Sequence, residues 1–246
     1  MTSILKRPWA AALLVALLAI VSYSALARNA VVINYKLTLT ADTPDGSKTG
    51  SGVIQVSYGS QFNLNGGGRR YDVSLSGEAV TLDLGRGKSL FLTLTNRASG
   101  RESGDLLSLQ VAQDAEWLPV RVLDLSWAAG KEETFRQKVL QARAKGPTPV
   151  PFSALPTLIT FRNLNDPVSV VAVQPDKLEG AFGPGYALQS ATLELVDQPA
   201  TRGIDRILPW LPDYYAKMLD GSRFMKAIAP NKTANSLASG DFSTFK

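Results

Sequence analysis

The segment Ile33-Asn-Tyr-Lys-Leu-Thr-Leu-Thr40 decides the fold class, because its apolar and polar residues alternate without interruption. Side chains of a β-strand point alternately to opposite faces, so a period of two predicts a strand with one buried and one solvated face. The turn sequence Thr43-Pro-Asp-Gly-Ser47 follows, and a second alternating run covers Gly52 to Tyr58. Proline, aspartate and glycine are typical turn residues, so the sequence predicts a β-hairpin.

Further strands and a few short helices are predicted downstream. A second hairpin comprises Val80 to Leu84, the turn Gly85-Arg-Gly-Lys88 and Leu90 to Leu94. Alternation or short apolar runs predict additional strands over residues 71–75, 107–111, 158–161 and 187–196. Helices are predicted over residues 131–145, 175–182, 201–208 with Thr201 as cap, and 214–219 with Asp213 as cap.

Each hairpin has one apolar face that needs a second layer to cover it. We therefore predict a mainly β, antiparallel body, either a β-sandwich or an open barrel-like fold. It carries a few short helices and is preceded by one N-terminal transmembrane or signal helix.

Residues 1–27 have the composition of an export segment. They contain Lys6 and Arg7 but no acid, and every residue from Trp9 to Val21 is apolar, a run of 13. Counted to Ala27, the segment would span roughly 28 Å as a helix, close to the thickness of a hydrocarbon core. The prediction is a signal anchor, and the alternative is a signal peptide cleaved after Ala27. Both place the bases inside and the body outside the membrane.

Three further ranges describe the organisation of the chain. Residues 28–229 form the predicted extracytoplasmic β-rich body. Four prolines between positions 147 and 156 predict a stiff connection, so residues 146–156 are the candidate internal boundary. Residues 230–246 are rich in Asn, Ser, Thr, Ala and Gly and are predicted to be a mobile tail.

The composition excludes several kinds of chemistry. The chain has no cysteine and no histidine, so it has no disulfide, no thiol nucleophile and no histidine base. Without residues 1–27, 24 bases face 21 acids over 219 residues. This small excess, with Arg69-Arg70 as the longest basic run, argues against a nucleic-acid partner.

Three motifs are explained by turns. Gly87-Lys-Ser89 lacks the earlier glycine of a P-loop and joins two predicted strands. The glycines of residues 180–185 do not follow the dinucleotide-binding pattern. Asp42 and Asp45 are too few oxygen ligands for calcium. We select no residue as a cofactor or metal ligand.

Without histidine, catalysis could depend on paired carboxylates, as in glycosidases. No spacing selects a pair, so no catalytic residue is assigned. The available acids are Asp105, Asp114, Glu116, Asp124, Asp166, Asp176, Glu179, Glu194 and Asp205.

The most distinctive surface candidate is Leu208-Pro-Trp-Leu-Pro-Asp-Tyr-Tyr215. Aromatic side chains on a proline-stiffened segment can anchor a partner at a small entropic cost. Trp210, Tyr214 and Tyr215 are therefore the candidate partner contacts. The favoured alternative is that Trp210 closes one end of the β core.

Several segments of the second half resemble a group of uncharacterised bacterial envelope proteins. Those proteins also begin with one apolar segment, followed by a strand like Tyr35–Leu39 and a turn like Thr43–Gly46. The resemblance implies a membrane anchor and a single domain, and it implies no activity. The segments that carry it are Leu155–Phe161, Asp166–Val170, Phe182–Gly185, Thr201–Ile204 and Leu208–Leu211.

These observations predict a bacterial inner-membrane protein with one pass and its body in the periplasm or outside the cell. The alternative is a soluble periplasmic or secreted protein. The predicted function is a non-catalytic binding or assembly role, with an envelope protein or glycan as partner and no cofactor. The alternatives are a carboxylate-dependent hydrolase of envelope polysaccharide and a purely structural envelope component.

Overall fold

The computed structural model describes residues 30–63, 68–95, 114–128 and 130–245. Within these residues the protein is mainly β, with two antiparallel open sheets and a few short helices. The predicted export segment, the strand at residues 107–111 and Asp105 lie outside the described residues. No helix within the described ranges is long and apolar enough to cross a bilayer.

Five strands form the first sheet and four form the second. The strands in chain order are β1 (Val31–Thr43), β2 (Gly46–Asn63), β3 (Gly68–Ser76), β4 (Val80–Gly85), β5 (Lys88–Leu92), β6 (Thr148–Pro149), β7 (Leu158–Phe161), β8 (Val170–Val173) and β9 (Ala187–Val196). The first sheet has the order β3-β2-β1-β9-β6 and the second β4-β5-β7-β8. Neither order closes on itself, which is consistent with a β-sandwich-like fold.

The β1–β2 hairpin confirms the prediction from the alternating segment. Its register pairs Thr43 with Gly46, so Pro44 and Asp45 form the two-residue turn. The apolar residues at alternate positions of β1 are all fully buried, namely Ile33, Tyr35, Leu37 and Leu39. The predicted β4–β5 hairpin, β7 and β9 are confirmed as well.

The two sheets meet where β4 lies against β2. A side chain at Gly50 would place its Cβ 2.3 Å from the carbonyl oxygen of Thr81 and 2.7 Å from the Cα of Leu82. The backbones of the two strands therefore approach too closely for any residue with a Cβ. The fully buried Leu82 and Leu84 of β4 join the same apolar cluster as the core side of β1.

The described part of the chain contains four short α-helices. They are α1 (Leu118–Val122), α2 (Glu132–Arg143), α3 (Leu178–Phe182) and α4 (Lys232–Ser236). The long predicted helix at residues 131–145 corresponds to α2, which buries Phe135, Val139 and Ala142. Phe135 packs against Tyr58 of β2, with ring centroids 5.1 Å apart.

Three predicted helices are wrong, one in its start and two because the structure forms only 3-10 turns there. The helix predicted from Pro175 begins only at Leu178. The helix predicted over residues 201–208 with Thr201 as cap is absent, because the structure has only a 3-10 turn there, Ile204–Arg206. The Thr201 hydroxyl instead accepts the backbone N–H of Val53 in β2 at 2.8 Å. Asp213 lies inside a short 3-10 turn, Leu211–Tyr214, rather than in front of a helix.

The proline-rich segment 146–156, the candidate internal boundary, contacts the first sheet. Thr148 and Pro149 form the edge strand β6 beside β9. Val150 donates its N–H to the carbonyl of Ala191 at 2.8 Å. Val150 and Leu155 are buried in the apolar cluster that also contains β1 and β9.

Residues 230–245 belong to the segment predicted as a mobile tail, and the structure places several of their side chains in the interior. Ala234, Leu237 and Phe242 are completely buried in a second apolar cluster. The carbonyl of Phe242 accepts the N–H of Ala79 at 2.7 Å, and the N–H of Phe242 donates to the carbonyl of Ser239 at 3.0 Å. Small polar residues are not a sign of mobility where tertiary hydrogen bonds satisfy them.

Candidate functional site

Trp210 and Tyr214 are in ring contact, whereas Tyr215 faces a different part of the molecule. The Trp210 indole is half-buried and donates its N–H to the carbonyl of Leu164 at 2.7 Å. Its ring lies 5.4 Å from Phe161, 6.2 Å from Phe242 and 5.6 Å from Tyr214, measured between ring centroids. Trp210 thus packs onto the second apolar cluster, as the favoured alternative for this residue predicts.

Tyr214 and Tyr215 point to different neighbours. The ammonium of Lys217 lies 4.5 Å from the centre of the Tyr214 ring. The hydroxyl of Tyr215 donates to the carbonyl of Phe245. Tyr215 lines a surface pocket, and neither Trp210 nor Tyr214 is among the lining residues of that pocket.

This pocket has a volume of about 250 Å³ and is the candidate binding site. Four chain segments build it: the link between β3 and β4, the turn after residue 201, the 3-10 turn at Leu211–Tyr214 and the carboxyl-terminal residues. Its lining residues are Glu78, Arg202, Gly203, Ile204, Asp205, Leu211, Pro212, Tyr215, Ser243 and Phe245. We call it the Glu78 pocket.

The C-terminal segment is fixed to the link between β3 and β4 by several hydrogen bonds. Glu78 and Ser243 form an antiparallel β-bridge. The N–H of Gly77 donates to the hydroxyl of Thr244 at 2.9 Å, and the N–H of Thr244 donates back to the Gly77 carbonyl at 3.1 Å. Residues 77 and 244, which are 167 positions apart, therefore hold two walls of the pocket together.

Glu78 is the buried acid of the pocket, with only 7% of its surface exposed. Its carboxylate accepts the backbone N–H of Ile204 at 2.9 Å. Gly203 has a φ of +125°, a conformation that glycine adopts readily, and its N–H also bonds to this carboxylate. Two successive backbone donors thus hold a carboxylate inside the protein.

Burial raises the pKa of Glu78, and the nearby charge of Asp205 raises it further. The two backbone N–H donors and the charge of Arg202 act in the opposite direction, but the net shift is upward. A carboxyl with a raised pKa in a pocket is a candidate for ligand binding or proton transfer.

Charged and aromatic groups stand at the outer part of the pocket. The Arg202 guanidinium lies over the Phe245 ring, 3.8 Å from its centre. Asp205 is exposed, and its Oδ1 accepts the N–H of Arg206 at 3.0 Å. The pocket therefore offers carboxylate acceptors, a guanidinium donor and aromatic surface within one small volume.

Sequence analysis did not find Glu78. It included Asp205 among the candidate acids but had no reason to pair it with a residue 127 positions earlier. The available signal was an acid in Gly77-Glu-Ala-Val80, next to the apolar run of β4. Charged residues are rarely buried unless they are paired. An acid at the start of a buried strand is therefore a signal for a paired, buried carboxylate.

A second group of buried polar residues supports the fold. Tyr35 donates its hydroxyl to the carbonyl of Ala115 at 2.7 Å, and Tyr58 donates to the carbonyl of Glu116. Burial raises the pKa of both phenols. Burial also raises the pKa of the Glu116 carboxyl, and Asp114 adds to that shift. The two phenols connect strands β1 and β2 to the segment before α1.

The motifs that the sequence explains by turns have structural partners. Asp42 accepts a hydrogen bond from Gln189 at 2.7 Å, whereas Asp45 is paired with Arg86. Lys88 donates to the carbonyl of Phe182 at 2.6 Å. In the part of the chain that the structure describes, no group of three acids is placed to hold a metal ion.

An exposed apolar loop lies apart from the pocket. Residues 223–228 are all exposed, and they include Phe224, Met225 and Ile228 with 70%, 64% and 89% of their surfaces accessible. Single exposed apolar residues are common in soluble proteins, but three on one short loop form a patch. We call this segment the 223–228 loop.

Comparison with known protein families, curated proteins and solved structures gives no significant match to this chain.

Proposed function

We propose that this protein has a non-catalytic binding role in a bacterial envelope and that the Glu78 pocket takes a fragment of an envelope glycan. In this proposal residues 1–27 hold the chain in the inner membrane and the β-sandwich body lies in the periplasm. The observation that carries the proposal is the combination of a buried carboxylate, a guanidinium and aromatic rings in one pocket.

The chemistry of the lining favours a sugar. Hydroxyl groups donate to carboxylates such as Glu78 and Asp205 and accept from a guanidinium such as Arg202. The apolar face of a sugar ring packs on aromatic side chains, and Tyr215 and Phe245 supply such surface. The volume of about 250 Å³ suits one or two sugar rings rather than a macromolecular surface.

Two features support binding rather than assembly of the chain into a scaffold. The backbone donors of Gly203 and Ile204 fix the position of the Glu78 carboxylate before any ligand arrives, and a preformed site costs less entropy on binding. Arg202 is exposed and lines the pocket, so its positive charge is accessible to a ligand.

The test is calorimetric titration of the full-length protein with sugar fragments released from peptidoglycan. We expect saturable binding that Arg202→Ala weakens by about tenfold or more, because a charge-assisted hydrogen bond is lost. Arg206→Ala is the matched control, since Arg206 is an exposed neighbour outside the pocket lining. Absence of saturable binding, or equal effects of both substitutions, would reject the proposal.

A carboxylate-dependent hydrolase is the second candidate, and one observation favours it. Glu78 has a raised pKa and interacts with the charge of Asp205, as expected for an acid and its partner carboxylate in a glycosidase. Release of reducing sugar from peptidoglycan by the wild type, abolished by both Glu78→Gln and Asp205→Asn, would establish this function instead. No release at all would leave binding as the proposal.

A further inference from the structure

The 223–228 loop exposes apolar side chains, and hydrogen bonds hold its backbone in place. Asn235 is 2% exposed, and its Oδ1 accepts the N–H of Lys226 at 2.6 Å. Its amide nitrogen donates to Asp220 at 2.8 Å and to the carbonyl of Phe224 at 3.5 Å. A single buried amide therefore fixes the backbone of the loop at two positions.

The base of the loop is closed by further hydrogen bonds. The N–H of Met218 donates to the carbonyl of Ser222 at 2.7 Å, and Gly221 donates back to Met218 at 2.8 Å. Asp220 accepts the N–H of Ser222 at 2.9 Å. The exposure of Phe224, Met225 and Ile228 is thus a consequence of defined backbone geometry.

The charges around the apolar tip are positive. Arg223 and Lys226 are exposed within the loop, and the Arg223 guanidinium lies 5.5 Å from the centre of the Phe224 ring. The nearest acid on the same segment is Asp220. Burial would raise the pKa of Asp220, but hydrogen bonds from Ser222 and Asn235 and the charge of Lys226 outweigh it, so the pKa is lowered and the carboxylate faces these donors.

We propose that the 223–228 loop docks on an anionic lipid bilayer. Phe224, Met225 and Ile228 enter the boundary between headgroups and acyl chains, while Arg223 and Lys226 contact lipid phosphates. Apolar tips flanked by bases are the pattern of segments that lie in a membrane interface. This inference rests on the membrane location in the proposed function and assigns the body a second membrane contact.

The charge pattern favours lipid over a second copy of this chain. Two copies meeting at this loop would bring Arg223 and Lys226 of each together, and like charges across an interface oppose association. Lipid phosphates instead neutralise both bases. The exposed apolar side chains of the loop insert into a fluid bilayer without a groove of complementary shape, which a protein partner would have to supply.

The experiment uses site-specific fluorescence on the full-length chain. Because the chain has no cysteine, Ile228→Cys and the control Leu140→Cys each give one labelling site. Leu140, on α2, is 55% exposed and outside the loop. Each labelled protein is reconstituted into vesicles of phosphatidylglycerol and phosphatidylethanolamine that contain spin-labelled quencher lipids.

We expect lipid quenching of the probe at position 228 to exceed that at position 140 by about threefold or more. The double charge reversal Arg223→Glu with Lys226→Glu should reduce the quenching at position 228 to the level of the control. The matched reversal of exposed bases at the ends of α2, Lys131→Glu with Lys145→Glu, should leave it unchanged. Vesicles of phosphatidylcholine alone should give the lower value.

Three results would overturn the inference. One is equal quenching at both positions. Another is quenching that does not respond to reversal of Arg223 and Lys226. A third is protection at position 228 that increases with protein density, which would assign the loop to a second copy. Sugar binding that depends on Arg202 is measured separately, so its loss with normal loop quenching rejects the proposed function and leaves the lipid contact.

Discussion

At the scale of single residues, two positions determine how the chain can pack and bind. Gly50 allows the backbones of β2 and β4 to touch, which brings the two sheets together. Glu78 places a carboxylate in the interior, where two backbone N–H groups compensate part of the cost of desolvation. Gly50 lies within β2, whereas Glu78 lies in the link between β3 and β4.

The first prediction concerns the pH dependence that Glu78 creates. Its pKa in the folded protein lies above the ordinary value of 4.5, so ionisation costs more in the folded state than in the unfolded chain. The wild type therefore loses stability relative to Glu78→Gln as pH rises from the unfolded pKa through the folded pKa. Each unit of difference between these values corresponds to about 1.4 kcal/mol.

Urea unfolding of both proteins between about pH 4 and pH 7 measures this difference. The free energy of unfolding of the wild type, minus that of the variant, should fall over this interval and then become constant. A difference that is independent of pH, or one that increases with pH, contradicts the role assigned to Glu78.

The second prediction concerns the contact at Gly50. Gly50→Ala should lower the free energy of unfolding by about 1–3 kcal/mol or more, because the new methyl group overlaps the backbone of residues 81–82. Gly180→Ala is the control. Gly180 is exposed on α3 with open space around it, and alanine favours helix by up to about 1 kcal/mol. Equal effects of the two substitutions would disagree with the close approach of the sheets.

At the scale of elements, the local pattern predicts strands well and their partners poorly. The alternation in residues 33–40 and 52–58 and the turn between them predict the β1–β2 hairpin, because all three signals are local. The position of β9 beside β1 could not be predicted, since Leu37 and Leu193 meet across more than a hundred intervening residues. An alternating pattern specifies which face is buried but not which strand lies next to it.

The carboxyl-terminal segment shows a second limit of prediction from the sequence pattern. Its small polar residues predict mobility, yet Asn235, Ser239 and Asp241 are buried with hydrogen-bond partners from distant segments. Glu78 was missed for the same reason, because its donors come from residues 203 and 204. Partners that lie far away in the chain leave no periodic signal in the sequence.

The third prediction tests whether this segment belongs to the core. Phe242→Ala should lower the free energy of unfolding by about 3–5 kcal/mol, because a fully buried ring leaves a cavity among Ala79, Phe161 and Trp210. Phe224→Ala removes the same ring from an exposed position and should change stability by about 0.5 kcal/mol or less. Chemical denaturation of the two variants checks both values, and a neutral Phe242→Ala would instead support the prediction of a mobile tail.

At the scale of the whole molecule, two apolar clusters contain the buried side chains of the two sheets. The larger cluster fills the space between β4 and the β1–β2–β9 region and extends to α2. The smaller one lies on the other side of the second sheet, beneath Trp210 and the carboxyl-terminal segment. The side chains of β5 alternate between the two clusters: Leu90 and Leu92 belong to the first cluster and Phe91 belongs to the second.

The fourth prediction follows from this arrangement. A chain that ends at Ala229 should lose stability throughout the second sheet, because residues 230–245 cover Phe91 and bond to the link between β3 and β4. We expect a lower and broader thermal unfolding transition, partly restored by adding the missing peptide. A truncated chain with the melting temperature of the full chain would show that the second cluster does not depend on this segment.

The central claim is that the Glu78 pocket is the binding site of the protein. Amide chemical shifts of the isotope-labelled full-length chain, recorded while peptidoglycan sugar fragments are added, test it most directly. The account predicts that the largest changes occur at Glu78, Gly203, Ile204 and Ser243, which line the pocket. Changes that cluster on a different surface, or no changes at saturating sugar, would contradict it.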